Sequence, residues 1–261
     1  MNKLINSLGT PMTQEQYAQE WKVDAEHISN DGHHAWMAEQ LGPQDLVVEI
    51  GCGAGASTLA LARKSRVICV ESNSNLVELC KNNLLANEVS VQVVSLSELA
   101  QVTSQVAIVN GDVFDVAVEE YLKIVRPAAI VCWLIGAAPE TIAKNIGKNL
   151  GDFTGGEMAA YRQKLHKRVY ELGESILQVE GVVHIVDRIG IRSWSEKDSA
   201  RTALVEMHGE LAGASYLVGK NNAYLRRTPK GVSRSSISMM SVDRFDNAIE
   251  ALSSVKALRS E

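Results

Sequence analysis

The sequence has no long hydrophobic segment. Its longest apolar run is AAIVCWLIGAA at positions 128–138, which is too short to cross a bilayer and predicts a buried strand instead. The amino-terminal residues MNKLINSLGT do not include the apolar stretch that a secretory signal peptide requires. We therefore expect a cytoplasmic protein that does not associate with membranes.

An excess of positive charge is missing as well. The 261 residues include 26 Lys and Arg against 31 Asp and Glu, which gives a formal net charge of -5. Proteins that bind nucleic acid in general usually carry a basic surface, so nucleic acid is not the expected partner. RNA stays open as an exception, because a local group of basic residues lies near the carboxyl terminus at Arg226, Arg227, Lys230 and Arg234.

Paired cysteine motifs are also absent. The four cysteines, Cys52, Cys69, Cys80 and Cys132, form no C-x-x-C pair and do not follow the spacing of a zinc site. We expect them to be reduced thiols in mostly apolar settings, and we expect no metal site.

What the chain does contain is an alternation of strand-like and helix-like segments from position 46 onwards. The strand-like segments are LVVEI, RVICVE, QVAIVNGD, AAIVCWLIG and GVVHIVDRIG, with amphipathic helical segments between them. This order predicts an α/β fold with a doubly wound, mostly parallel seven-stranded sheet and helices on both faces. The segments NAYLRR and RSSISMMSV predict an antiparallel C-terminal hairpin, and DRFDNAIEALSSVKAL predicts a last helix.

The most informative segment is the bend in VVEIGCGAGASTLALA at 47–62. Its glycines, Gly51, Gly53 and Gly55, allow a tight turn and the close approach of a ligand, and the following helix points its amino terminus at the same place. Glu49 precedes the first glycine by two residues. Its negative charge would repel a pyrophosphate and attract an ammonium or a sulfonium group.

This bend resembles the first motif of the class I S-adenosylmethionine-dependent methyltransferases, which has the form acidic-x-G-x-G-x-G. The resemblance extends in outline over 43–261, although only this motif is specific. It implies that Glu71 in VICVES binds both ribose hydroxyls, and that Asp112 in NGDVF lies beside the adenine amino group. The cofactor-binding residues implied in this way are Glu49, Gly51, Cys52, Gly53, Gly55, Glu71, Ser72, Asp112, Val113 and Trp133.

The resemblance also implies a division of the chain into a helical N-terminal cap at 1–42 and a Rossmann-like methyltransferase domain at 43–261. Within that domain, 136–180 lies where this fold usually builds an acceptor site, and its glycines predict a mobile lid. A covered pocket favours a small-molecule acceptor. The segment after the fourth predicted strand reads CWLIGAAPE, so the Asn/Asp-Pro-Pro-Tyr/Phe motif of amino-group methylation is absent. The sequence leaves open whether the protein forms a homodimer.

The general base is not identified by the sequence. Methyl transfer is an in-line displacement at a sulfonium, so the protein mainly has to align donor and acceptor and exclude water. His33 and His34 are the candidates, because an N-terminal cap can fold over the strand ends. We interpret His166, which lies in a basic run, as part of a solvated helix face, and His184 as a structural residue inside a strand. His208 lies in a predicted helix.

Two other functions stay open. An NAD(P)-dependent oxidoreductase could use the same bend, since GCGAGA also fits G-x-G-x-x-A and Glu71 stands twenty residues beyond Gly51. That function would leave Glu49 and Asp112 without a role. The other alternative is a non-catalytic module of the same fold that binds a cofactor or a partner.

Overall fold

Eight strands and eight α-helices make up the fold in a computed structural model, which describes residues 11–153, 156–229 and 248–260. The strands are β1 (Leu46–Ile50), β2 (Arg66–Glu71), β3 (Val91–Val94), β4 (Val106–Asn110), β5 (Ala129–Trp133), β6 (Val182–Ile191), β7 (Tyr216–Arg227) and β8 (Ile249–Arg259). The helices are α1 (Gln14–Asn30), α2 (His33–Leu41), α3 (Ala56–Ala62), α4 (Ser74–Ala86), α5 (Val116–Val125), α6 (Pro139–Ile146), α7 (Glu157–Ile176) and α8 (Lys197–Ala212). None of these helices is both long and apolar enough to cross a membrane.

The strands form one sheet in the order β3-β4-β2-β1-β5-β6-β8-β7. The first six strands of this order pair in parallel, and β8 is antiparallel to both β6 and β7. The predicted doubly wound, mostly parallel sheet with an antiparallel C-terminal hairpin is therefore confirmed, with eight strands rather than seven. The sequence does not predict two of the eight strands as strands, β3 and β8. β3 lies at the sheet edge and is partly exposed, so it lacks the continuous apolar run of a central strand.

The predicted last helix at 243–258 is wrong where the structure describes it. Residues 249–259 form β8, which pairs with β6 on one side and β7 on the other. Ala251, Leu252, Val255 and Ala257 of this strand are fully buried. Hydrogen bonding and burial on both sides outweigh the local helix propensity of a segment rich in Ala, Leu, Glu and Lys. The predicted strand RSSISMMSV at 234–242 lies outside the described residues.

The two faces of the sheet carry different cores. Val48 and Ile50 of β1 pack on the side of α5 and α7, while Val47 packs on the side of α2, α3 and α4 together with Cys69 of β2. Side chains alternate along a strand, so Glu49 falls on the side of Val47. Glu49 pairs with Cys69 in the register of β1 and β2. The sheet therefore places the motif carboxylate against α3 and α4.

Candidate functional site

The glycine-rich bend between β1 and α3 has a backbone that requires glycine. Gly51, Gly53 and Gly55 have φ values of +77°, +53° and +84°, in the left-handed region that other residues rarely adopt. A Cβ atom on Gly55 would lie 2.9 Å from the Cα atom of Cys80 in α4. The bend can therefore pack directly on α4 and keep its amide groups close to the exit of β1.

Glu71 connects this bend to the beginning of α4. Its Oε2 accepts a hydrogen bond from the Gly53 amide at 3.1 Å, and its Oε1 accepts one from the Asn73 amide at 2.9 Å. Each carboxylate oxygen has a further lone pair, so the side chain can still accept two hydroxyl groups. Burial raises the pKa of Glu71 to about 7, with the amide donors acting in the opposite direction. The geometry fits a ligand that presents two neighbouring hydroxyls.

Glu49 lies behind the bend and is buried. Its Oε2 accepts the Thr58 hydroxyl at 2.6 Å, and the Cys69 thiol lies 3.5 Å from the same oxygen. Burial raises the pKa of Glu49 to about 7, and hydrogen bonds from Ser57 and Thr58 partly offset that effect. A cation bound nearby would favour the ionised carboxylate.

Asp112 lies at the exit of β4, next to the exit of β2. The backbone places it there, because the Gly111 amide donates to the Glu71 carbonyl at 3.0 Å. Asp112 Oδ1 accepts the Phe114 amide at 3.1 Å, and its Oδ2 lies 3.4 Å from the Lys144 ammonium of α6. Val113 beside it is buried. Glu71, Asp112 and Val113 are thus brought to one edge of the sheet.

The other predicted cofactor residues differ in exposure. Ser72 is exposed directly after Glu71, whereas Cys52 is buried beneath the bend. Trp133 ends β5 with a buried ring that turns towards β6. Its indole N–H donates to Nδ1 of His184 at 3.2 Å, and the rings meet edge to face with centroids 5.4 Å apart. The ring therefore packs within the sheet layer instead of projecting beyond the strand end.

The Trp133 contact fixes the protonation of His184. Because Nδ1 accepts the indole N–H, Nε2 carries the ring proton and donates to the Ser254 hydroxyl at 2.8 Å. Burial, followed by the charge of Lys256, lowers the pKa of His184 from 6.5 to about 3. The neutral ring therefore contributes stability that is complete above pH 6.5 and is lost as the pH falls towards the folded value.

We predict that the stability advantage of the wild type over His184→Asn shrinks by about 2 kcal/mol between about pH 7.5 and about pH 5, since only the wild type must keep this imidazole neutral. Urea unfolding at both pH values measures the difference. Val186→Ala, at another buried position of β6, is the control, and its difference in unfolding free energy from the wild type should not change with pH. If the difference for His184→Asn is equal at both pH values, the assignment of His184 as a neutral buried imidazole is contradicted.

His33 and His34 begin α2, and both are buried. His34 has its Nδ1 2.8 Å from the Ser29 hydroxyl, and burial lowers its pKa to about 3. The pKa of His33 is lowered by burial and then by Arg226 of β7. Helix α2 packs on α3, the helix that follows the bend. Both histidines stay predicted candidates for the general base.

Helix α1 covers the strand exits. The Gln14 side-chain amide donates to the Thr141 hydroxyl of α6 at 2.9 Å, and the Asn73 side chain donates to the Gln14 carbonyl at 2.9 Å. One turn further along, a Cβ atom on Gly136 would collide with the Tyr17 hydroxyl. The next turn places the Trp21 indole directly over Gly53 of the bend. The helix therefore runs across the crevice from the end of β2 to the end of β5.

A buried polar cluster between α1, α7 and β6 was not predicted from the sequence. Arg162 forms an ion pair with Asp187 at 2.7 Å, and Arg188 lies 3.5 Å from Asp24 and 5.7 Å from the centre of the Trp21 ring. Asp187 and Arg188 follow the apolar segment VVHIV of β6. This abrupt change from apolar to charged residues within β6 is the signal in the sequence that could have revealed the cluster.

His166 belongs to the same region, and its interpretation as a solvated residue is wrong. It is buried, and its ring centre lies 6.1 Å from that of His208. Burial lowers the pKa of His166. Among the described residues, Nε2 of His166 and the Nε groups of Arg162 and Arg188 are buried and have no hydrogen-bond partner. Unpaired buried groups of this kind are rare in proteins and often mark a binding site.

One part of the chain matches a known protein family. A family model described as a methyltransferase domain matches residues 47–129, from β1 to the beginning of β5. No curated protein matches the chain by sequence.

Solved methyltransferase structures resemble the fold. The N-methyltransferase NodS from Bradyrhizobium japonicum WM9, in complex with S-adenosylhomocysteine, aligns with 11% identity over 96% of this chain and 100% of its own, at a TM-score of 0.51. TrmN from Thermus thermophilus aligns with 10% identity over 86% of this chain and 48% of its own, at a TM-score of 0.46. The chain thus spans about half the length of TrmN. Precorrin-6y C5,15-methyltransferase from Geobacter metallireducens GS-15 aligns with 13% identity over 87% of this chain and 89% of its own, at a TM-score of 0.42.

The family match begins at the acidic-x-G-x-G-x-G bend and includes both Glu71 and Asp112. The NodS structure supports the same fold over nearly the whole chain. Residues 47–129 therefore match a methyltransferase domain, and the chain has the same fold as the methyltransferase NodS.

Proposed function

We propose that the protein transfers the methyl group of S-adenosylmethionine to a small-molecule acceptor. The observation that carries this proposal is the position of α1 across the strand exits, where Tyr17 and Trp21 lie over Gly136 and Gly53. A macromolecular acceptor would have to displace this cover. A small molecule needs only a gap beside it.

The cofactor residues in this proposal are those that border the crevice. Glu71 binds the two ribose hydroxyls through the lone pairs that Gly53 and Asn73 leave free. Asp112 holds the adenine amino group, and Val113 covers the base. The bend from Gly51 to Gly55, together with Ser72, lies along the ribose and the amino-acid part. Glu49 supplies negative charge from behind the bend, while Cys52 and Trp133 pack beneath the site.

In this proposal, the buried polar cluster between α1, α7 and β6 binds the acceptor molecule. The unpaired groups on Arg162 and Arg188 are N–H donors, which favours an acceptor molecule with oxygen atoms. The acceptor atom attacks the methyl carbon, the bond from carbon to sulfur breaks, and the sulfonium becomes a neutral thioether. A proton released by the acceptor passes to a base or to water.

RNA is less well supported as the acceptor. Of the four basic residues near the carboxyl terminus, Arg226 lies 5.6 Å from the centre of the Trp36 ring and 3.4 Å from the Asp31 carbonyl, so its charge is already engaged within the fold. Lys230 and Arg234 lie outside the described residues.

The size of the acceptor can be tested by following the methyl group. Protein incubated with methyl-labelled S-adenosylmethionine and a cell extract is expected to place the label in the fraction that passes an ultrafiltration membrane. Purified RNA and protein fractions, offered separately, should remain unlabelled. Label retained with RNA in a nuclease-sensitive form would overturn the small-molecule proposal and leave the cofactor assignment intact.

A further inference from the structure

Three of the four cysteines meet directly beneath the glycine-rich bend. Cys52 comes from the bend, Cys69 from β2 and Cys80 from α4, and their sulfur atoms all lie within 4.8 Å of one another. All three side chains are at most 1% exposed. The residues are separated by 17 and 11 positions in the sequence, so only the parallel pairing of β1 and β2 and the packing of α4 bring them together.

The spacing of these sulfur atoms fits a single bound ion. Zinc lies about 2.3 Å from a thiolate sulfur, so three thiolates around it are separated by about 3.8 Å. Glu49 Oε2 is 3.5 Å from Cys69 Sγ, but no Glu49 oxygen lies within 4.8 Å of all three sulfur atoms, so the carboxylate borders the site without being one of its ligands. The Thr58 hydroxyl donates to the same Glu49 oxygen at 2.6 Å.

The environment differs from that of a cysteine that only fills space in a core. The Thr58 hydroxyl lies 3.8 Å from the sulfur atoms of both Cys69 and Cys80, and the Glu49 carboxylate adjoins the same group. Cys132, in contrast, is buried in the hydrophobic core on the other face of the sheet.

We propose that Cys52, Cys69 and Cys80 bind one thiophilic divalent ion of the zinc class. Binding replaces the protons of the three thiols, and these protons pass to solvent. The ion would join the bend, β2 and α4, and so hold the bend in shape independently of any cofactor or acceptor.

The test uses the full-length protein, reduced and freed of metal with a chelator. Titration with Cd²⁺ is followed through the ultraviolet absorption of cadmium thiolates, and Zn²⁺ binding is measured by calorimetry. The wild type is expected to bind one equivalent of either ion and to release protons. Cys69→Ser should weaken binding by at least about 100-fold, because removal of a ligand exceeds the 10- to 100-fold effect of residues around it. Cys132→Ser is the matched control and should bind like the wild type.

The wild-type titration decides the question even if a variant fails to fold. Absence of a stoichiometric Cd²⁺ or Zn²⁺ complex in the reduced wild type would overturn the proposal. Equal weakening in Cys69→Ser and Cys132→Ser, or none in either, would overturn it as well. Binding of S-adenosylhomocysteine measured on the same samples separates the two proposals, since loss of the metal site leaves the methyltransferase assignment standing.

Discussion

Glu71→Ala is expected to weaken the binding of S-adenosylhomocysteine by about 1–3 kcal/mol, or roughly 5- to 150-fold. In the proposed site, the variant loses the acceptor of both ribose hydroxyls. It also loses the oxygen that accepts the Gly53 amide, so the bend becomes less well ordered. Isothermal titration calorimetry with the wild type and the variant measures the change directly.

Glu78→Ala is the control for this experiment. Glu78 also belongs to α4, but its side chain is 62% exposed and forms a surface ion pair with Lys81. This variant should bind S-adenosylhomocysteine like the wild type. If Glu71→Ala folds normally and keeps the wild-type affinity, Glu71 is not the ribose ligand.

Gly55→Ala is expected to lower the free energy of unfolding by about 2–5 kcal/mol and to abolish measurable cofactor binding. An alanine at a φ of +84° costs about 1–2 kcal/mol. Its methyl group would also lie 2.9 Å from the Cα atom and 3.1 Å from the carbonyl oxygen of Cys80, and overpacking of this kind typically costs 1–3 kcal/mol more. Backbone atoms cannot turn aside as a side chain does, so the bend and α4 must separate.

The matched control is Gly147→Ala at the end of α6. Gly147 has a similar φ of +69°, but among the described residues no atom beyond its chain neighbours lies within 4 Å of an added Cβ. The variant should therefore lose only the about 1–2 kcal/mol of the left-handed conformation and should keep cofactor binding. Equal losses of stability in the two variants, measured by urea unfolding, would show that the contact between the bend and Cys80 has no effect of its own.

The sequence predicts those parts of the fold that depend on local pattern. β1, β2, β4 and β5 are buried on both faces, so their apolar runs are visible in the sequence. β3 at the sheet edge has no such run, and β8 contains residues that favour a helix and is held as a strand by its two neighbours. Tertiary pairing of this kind has no local signal.

The candidate site divides in the same way. Glu49, the three glycines and Glu71 are found from one motif and one strand end. Asp24, Arg162 and Arg188 come from three distant elements and match no motif, so only the packing of α1, α7 and β6 reveals their cluster. The group of three cysteines is not predicted from the sequence for a similar reason. Its spacing along the chain is unlike that of a zinc motif, and it depends on the strand register that pairs Glu49 with Cys69.

The most direct test of the central claim is a crystal structure of the protein with S-adenosylhomocysteine bound. The Glu71 carboxylate is expected within about 3 Å of both ribose hydroxyls, with the adenine amino group at Asp112 and the ligand along the bend from Gly51 to Gly55. A ribose bound away from Glu71, or a ligand bound outside the crevice beneath α1, would contradict the account.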